Sequence, residues 1–186
     1  MAKIIMIAMS LRKESFNKKL ISNAKRILEE KNLSHELELL SFNDFPMAVY
    51  NADDEKEKGF PKEVLALASK IKNADAIIFS TPEYNGGIPG AFKNALDWVS
   101  RVEPISWTGK QILLMGASPG ALGAIRGLWH SRNPFEATGG FVYPDMFGLP
   151  KAHEAFDDQG KLKDPKTEER VSKFLMKFSE HLAKHA

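Results

Sequence analysis

Three apolar runs, Lys3–Met9 (KIIMIAM), Asp75–Ser80 (DAIIFS) and Gln111–Ala117 (QILLMGA), constrain this 186-residue chain more than any other feature. Each has the pattern of a central strand in a parallel sheet, buried on both faces. After the first run, Phe16, Leu20, Ala24, Ile27 and Leu28 fall on one helical face. His35–Leu40 alternates, which suits a strand at a sheet edge. Pro61 opens a helix that buries Val64, Leu67, Ala68 and Ile71. A further helix from about Pro89 buries Ala91, Phe92, Ala95, Leu96 and Val99 and ends before Pro104. Beyond Ala117 the predicted helix holds Gly120, Gly123 and Gly127, poor helix formers that suggest close backbone approach. Phe141–Phe147 is a strand interrupted by Pro144, which places it at the other edge. Asp164 caps and Pro165 opens a last helix with Val171, Phe174, Leu175, Phe178 and Leu182 inward, and Lys184 and His185 suit its C-terminal dipole. Residues 42–59, with Pro46, Asn51 and the charged run Asp53–Lys58, read as a long exposed connector, with a lid or dimer contact as the functional alternative.

Five strands alternating with five helices indicate an α/β chain whose parallel sheet is covered on both faces. With the second and fifth strands at the edges, the order 2-1-3-4-5 follows. This is a flavodoxin-like three-layer fold that switches direction between strands one and three, with residues 1–186 as a single domain. The loops after strands one, three and four then meet at the carboxyl edge of the sheet.

Charge does not point to a polyanionic partner. The 26 basic and 24 acidic residues leave a net charge of +2, so neither nucleic acid nor a membrane surface is expected. The absence of cysteine removes disulfides, thiolate metal ligands and thiol catalysis, so any redox chemistry must come from a cofactor. The five histidines show no HExxH or other tight spacing, and no metal site is expected. The N-terminal apolar run is too short to span a bilayer and lacks a cleavage site, which makes the cytoplasm the expected location.

The first loop offers Ser10, Arg12, Ser15 and Asn17 at a helix N-terminus, a donor set suited to a phosphate dianion. Equally open is that Ser15 merely caps the helix while Arg12 is solvated. No Walker or GxGxxG sequence follows any strand, so a monophosphate is favoured over a nucleoside triphosphate or a Rossmann-type dinucleotide. The second loop, Thr81–Gly90, mixes Pro82, Tyr84, Asn85, Gly86, Gly87 and Pro89, and can present N–H groups to a flat heterocycle. A hairpin turn at Asn85-Gly86 is disfavoured because a helix follows. The third loop, Ser118–Ala121, brings small side chains to the other side.

Ser10–Asn17 (SLRKESFN), Thr81–Arg101 (TPEYNGGIPGAFKNALDWVSR) and Gly116–Arg126 (GASPGALGAIR) resemble the NADPH-dependent FMN reductase family, flavodoxin-like proteins that include bacterial quinone, chromate and azo-dye reductases. The resemblance covers most of the chain. It departs at Met9 and Ala124, where many relatives have glycine, and at Gly127–Arg132, where an arginine- and leucine-rich helix is common. It implies a tightly bound, non-covalent FMN with its phosphate on Ser10, Arg12, Ser15 and Asn17. The isoalloxazine would lie against Pro82, Glu83, Tyr84, Asn85 and Gly86, and Ser118 and Gly120 would line the cofactor. NADPH or NADH would give hydride to the flavin and be replaced at the same face by a small acceptor: a quinone, azo compound, chromate or flavin.

Backbone N–H groups of Asn85 to Gly87 would face the flavin, with no side-chain acid or base required. Tyr84 and Arg101 are substrate-side candidates, Arg101 being equally readable as a solvated charge at a helix end. Glu83 is expected to bond within its loop or across a subunit contact, and Trp98 and Trp107 to be core or interface aromatics. Relatives form homodimers or homotetramers. The alternatives are an FMN-binding electron carrier that does not oxidise NAD(P)H, and a flavin-free phosphate-binding domain.

Overall fold

The computed structural model describes residues 1–31 and 35–185. Its strands are β1 (Ala2–Ala8), β2 (His35–Ser41), β3 (Ala76–Ser80), β4 (Gln111–Ala117) and β5 (Phe141–Leu149). They form one parallel sheet in the order β2-β1-β3-β4-β5. Because strand side chains alternate between faces, the continuous apolar runs feed two cores. Ile4, Met6, Ile78, Leu113 and Met115 pack on one face beneath α1 (Phe16–Glu30) and α7 (Pro165–His185). Ile5, Ile7, Ile77, Phe79, Ile112 and Leu114 pack on the other beneath α3 (Lys62–Lys72), α4 (Gly90–Val99) and α5 (Ile125–Glu136).

Both edges carry the expected marks. β2 is half-exposed along its length. In β5 the pairing with β4 slips between Ile112↔Val142 and Leu114↔Met146, so Pro144 falls in a bulge. Arg132 of α5 reaches under that bulge, and its Nη1 donates to the Tyr143 carbonyl at 3.0 Å while Nη2 donates to the Val142 carbonyl at 3.3 Å. The carbonyls that the slip frees are thereby satisfied.

Three local expectations are corrected. Residues 42–59 contain a 3₁₀ turn at Phe42–Asp44 and the helix α2 (Ala52–Lys58), with Phe42 and Phe45 in the core. The charged run is this helix: the Asn51 side chain accepts from the Asp53 N–H at 3.0 Å. Asp53, Asp54 and Glu55 lie in its first turn and Lys56 and Lys58 in its last, matching the dipole. Next, the helix after β4 begins only at Ile125, so Gly120 and Gly123 belong to the preceding turn and Gly127 alone is helical. Close approach does occur there: a Cβ on Gly123 would stand 2.8 Å from the Gly148 backbone, and one on Gly127 3.2 Å from Glu83. Finally, a four-residue helix, α6 (Ala152–Ala155), precedes α7. The cap of α7 is as expected, with the Asp164 carboxylate accepting from the N–H groups of Lys166 and Thr167. The expectation for the His185 side chain lies outside the described residues.

Candidate functional site

At the carboxyl edge, β1 leads through Met9 into the loop 10–15 and then α1. Ser10 and Ser15 are buried. Ser15 caps α1, its Oγ accepting from the Asn17 N–H at 3.2 Å. Among the described residues the Ser10 hydroxyl has no hydrogen-bond partner, and neither do the backbone N–H groups of Leu11, Arg12, Lys13, Glu14 and Ser15. Arg12 is exposed, and its guanidinium lies 6.0 Å from the Phe16 ring. Five free N–H groups, two serine hydroxyls and one guanidinium beside a helix N-terminus form a donor set to which no carboxylate among the described residues is paired, which suits an anion.

The structure places the Asn17 side chain inward. Its carboxamide is buried and turned into the sheet: Nδ2 donates to the Ala117 carbonyl at 3.0 Å, and Oδ1 accepts from the Ala117 N–H and the Ser80 hydroxyl, each at 2.9 Å. Ser80 and Ala117 are the last residues of β3 and β4. The side chain therefore ties the ends of β3 and β4 to the first turn of α1.

The second loop corrects another expectation, since Asn85-Gly86 does form a tight turn. Tyr84 and Gly87 exchange both backbone hydrogen bonds, at 3.1 and 3.0 Å, and Asn85 and Gly86 take φ of 52° and 76°. Positive φ at both central positions is the signature of a two-residue hairpin turn, for which Asn-Gly is the preferred pair. Two residues separate Gly87 from α4, enough for the chain to leave the turn and begin a helix. The Gly87 N–H is consumed by the turn, while those of Asn85 and Gly86 have no partner among the described residues. Tyr84 is half-exposed beside them.

The turn rests on α5. The Glu83 side chain is only 7% exposed. Its carboxylate accepts from the backbone N–H groups of Arg126 and Gly127, at 3.0 and 3.3 Å, and from Arg126 Nε at 2.7 Å, with Nη2 also in contact. Burial pushes the Glu83 carboxyl up, but the Arg126 guanidinium and the two N–H groups outweigh it and hold the group below the ordinary carboxylate range. A Cβ on Gly86 would lie 3.9 Å from the Arg126 guanidinium, and one on Gly87 3.2 Å from His130 Nδ1. The bond made by Glu83 is thus to α5 of its own chain. Neither Arg126 nor His130 was singled out from the sequence, although Arg126 closes the third quoted segment. Pro82 is buried behind the turn.

In the third loop Ser118 Oγ accepts from the Gly120 N–H at 3.1 Å, and the Ser118 carbonyl accepts from Ala152. Arg101 is drawn elsewhere: its Nε meets the Glu55 carboxylate at 3.1 Å, and that carboxylate also accepts the Tyr50 hydroxyl at 2.9 Å. Arg101 thus clips α2 to the end of α4. Trp98 and Trp107 are both core residues. A cavity of about 450 Å³ lies between Leu11 of the first loop, the segment Phe42–Val49 and Gly90, Ala91 and Asn94 of α4. Phe45, Pro46, Met47 and Val49 in its wall come from the stretch read as a connector; its scattered large apolar residues were the available signal.

The sequence pattern of the NADPH-dependent FMN reductase family matches residues 2–154. A quinone reductase of Escherichia coli is 33% identical over 182 residues, covering 96% of this chain and 94% of that protein. An NAD(P)H-dependent FMN reductase of Pseudomonas aeruginosa is 34% identical over 180 residues, covering 93% and 91%. Among solved structures, FerB, a flavoenzyme NAD(P)H:(acceptor) oxidoreductase of Paracoccus denitrificans, superposes with a TM-score of 0.83 at 30% identity over 100% of this chain and 99% of its own. An archaeal flavodoxin shares the fold at a TM-score of 0.64 and 14% identity.

Proposed function

This chain belongs to the NADPH-dependent FMN reductase family, and from that premise we propose that it is an FMN-dependent NAD(P)H oxidoreductase that reduces small acceptors: quinones, azo compounds, chromate or flavins. The donor set of the first loop supports it most directly. Ser10, Ser15, Arg12 and the free N–H groups of Leu11 to Ser15 have the number and sign to hold a phosphate monoester dianion. FMN, when bound, supplies hydride chemistry that no side chain of this cysteine-free chain can perform.

The chain's own residues bind and orient. The Tyr84–Gly87 turn offers the N–H groups of Asn85 and Gly86 as fixed donors, with Pro82 behind them and Glu83 anchoring the loop to α5. Ser118 and Gly120 close the opposite side. Fixed N–H donors stabilise developing negative charge without reorganising. Tyr84 and the apolar wall of Leu11, Pro46, Met47, Val49 and Ala91 suit a flat, largely apolar acceptor and exclude water from it. Arg101, paired with Glu55, is assigned to holding α2 rather than to the acceptor. The chain acts as one domain, in the cytoplasm where NAD(P)H is available, and as a homodimer or homotetramer.

The test is the purified protein. It should be yellow and release FMN on denaturation, and the stripped protein should regain the flavin spectrum with added FMN. A colourless protein that takes up no FMN contradicts the proposal. A carrier function would instead leave the bound flavin oxidised in the presence of NADPH or NADH. Light scattering of the holoprotein checks the assembly, a monomer contradicting that part.

A further inference from the structure

We propose that Asn17 is a positioning residue that locks the three site loops together and does not bind the phosphate. The proposal rests on the flavin site above. It departs from the role that the SLRKESFN segment suggests for this residue.

An asparagine carboxamide has two acceptor lone pairs and two N–H donors. Here both lone pairs of Oδ1 are used, by the Ala117 N–H and the Ser80 hydroxyl, and one Nδ2 hydrogen is used by the Ala117 carbonyl. The orientation is unambiguous, because a backbone N–H can only donate and a carbonyl can only accept; a flipped amide would set two like groups against each other. Asn17 also stands on both sides of the phosphate loop's closure, since its own N–H goes to Ser15 Oγ.

The three elements joined are those whose next residues form the site. Ser10 to Ser15 lead through Phe16 into Asn17. Ser80 is followed by Thr81 and the turn, and Ala117 by Ser118 and the third loop. Ala117 lies 100 residues from Asn17 and Ser80 63. Parallel backbone bonds carry the strands one residue further, Thr81 N–H to the Met115 carbonyl at 2.9 Å and Ser118 N–H to the Leu149 carbonyl at 3.1 Å. At the same level the Asn17 carboxamide adds a side-chain link from both strand ends to α1. Asn17, Ser80 and Thr81 are at most 2% exposed, and a buried polar network in which both acceptor positions and one donor hydrogen of the carboxamide are paired favours one arrangement of the groups around it.

Hydrogen exchange on the flavin-free protein, paired with FMN titration, tests the proposal through Asn17→Ala and Ser80→Ala. Ser80 is fully buried and cannot reach a ligand, so a shared phenotype can arise only through the clamp. Exchange in 81–87 and 118–124 should rise about tenfold in Asn17→Ala and about threefold in Ser80→Ala, while exchange in α7 stays unchanged. FMN dissociation constants should rise in the same order. If Asn17→Ala does not fold, Ser80→Ala, which removes one hydrogen bond, carries the test alone. Unchanged loop exchange with FMN affinity lost in Asn17→Ala only would overturn the proposal in favour of direct phosphate binding. Faster exchange throughout, α7 included, or faster loop exchange with unchanged FMN affinity, would also overturn it. A wild type that binds no FMN would instead defeat the reading of function, and the exchange result would still decide whether the clamp orders the loops.

Discussion

Arg12 in the first loop and Glu83 in the second carry opposite charges, and the fold treats them differently. Arg12 is exposed and has no ion pair among the described residues, so redirecting its guanidinium toward an anion gives up only its contact with the Phe16 ring. Arg12→Ala should weaken FMN binding by roughly tenfold to a hundredfold, the worth of one charge-assisted hydrogen bond, without lowering the melting temperature of the flavin-free protein. Fluorescence titration and calorimetry check the two halves; equal FMN affinity would remove Arg12 from the phosphate site. Glu83 is buried and fully engaged, and its folded pKa lies below the ordinary value. A depressed carboxylate contributes stability above its unfolded pKa and loses it as pH falls through the folded one. Glu83→Gln should therefore cost about 1–3 kcal/mol at neutral pH, with the difference from wild type shrinking as acid protonates the carboxylate. Urea unfolding at pH 7 and about pH 3 measures it, and an equal difference at both contradicts the assignment.

The turn between β4 and α5 and the helix α2 were the elements least legible in the sequence, for separate physical reasons. Glycines in 118–127 suggested close approach, and the structure agrees at Gly123 and Gly127, but helical periodicity does not reveal that the chain spends seven residues turning before Ile125. Gly123 has φ of 59° and the Gly148 and Leu149 backbones within 2.9 Å of any added Cβ, whereas Gly120 meets only Ser118 Oγ at 3.5 Å. Gly123→Ala should cost about 2–4 kcal/mol and Gly120→Ala under about 0.5, an order that thermal melting of the two variants can confirm or reverse. The helix that follows Asn85-Gly86 argues against a hairpin turn in the sequence, yet a turn needs only Tyr84 and Gly87 to close it. α2 was hidden because no face of it is buried, leaving its pattern without an apolar stripe. It is held instead by Glu55 on Arg101 and Tyr50. Glu55→Gln should speed exchange in α2 while leaving α4 unchanged; equal rates in α2 would show that the clip is not what orders it.

At the scale of the whole molecule, the order β2-β1-β3-β4-β5 could be read from five hydrophobic patterns, because burial on two faces or one writes itself into each strand. The meeting of three loops followed from that order. What holds the loops together did not, since Asn17, Ser80 and Ala117 are distant in sequence and no local spacing encodes their contact. Nor did the sequence reveal α5 as the bed of the turn, through Arg126 and His130. We propose a parallel sheet whose carboxyl edge fixes one flavin, with the apolar cavity that Leu11 borders open to the acceptor. Anaerobic addition of NADPH to the purified yellow protein, followed by a quinone, tests this most directly. The account predicts that the flavin's visible absorbance bleaches with about one equivalent of NADPH, because each flavin takes one hydride, and returns when the quinone is added. Flavin that stays oxidised with both NADPH and NADH, in protein that retains FMN, would contradict it.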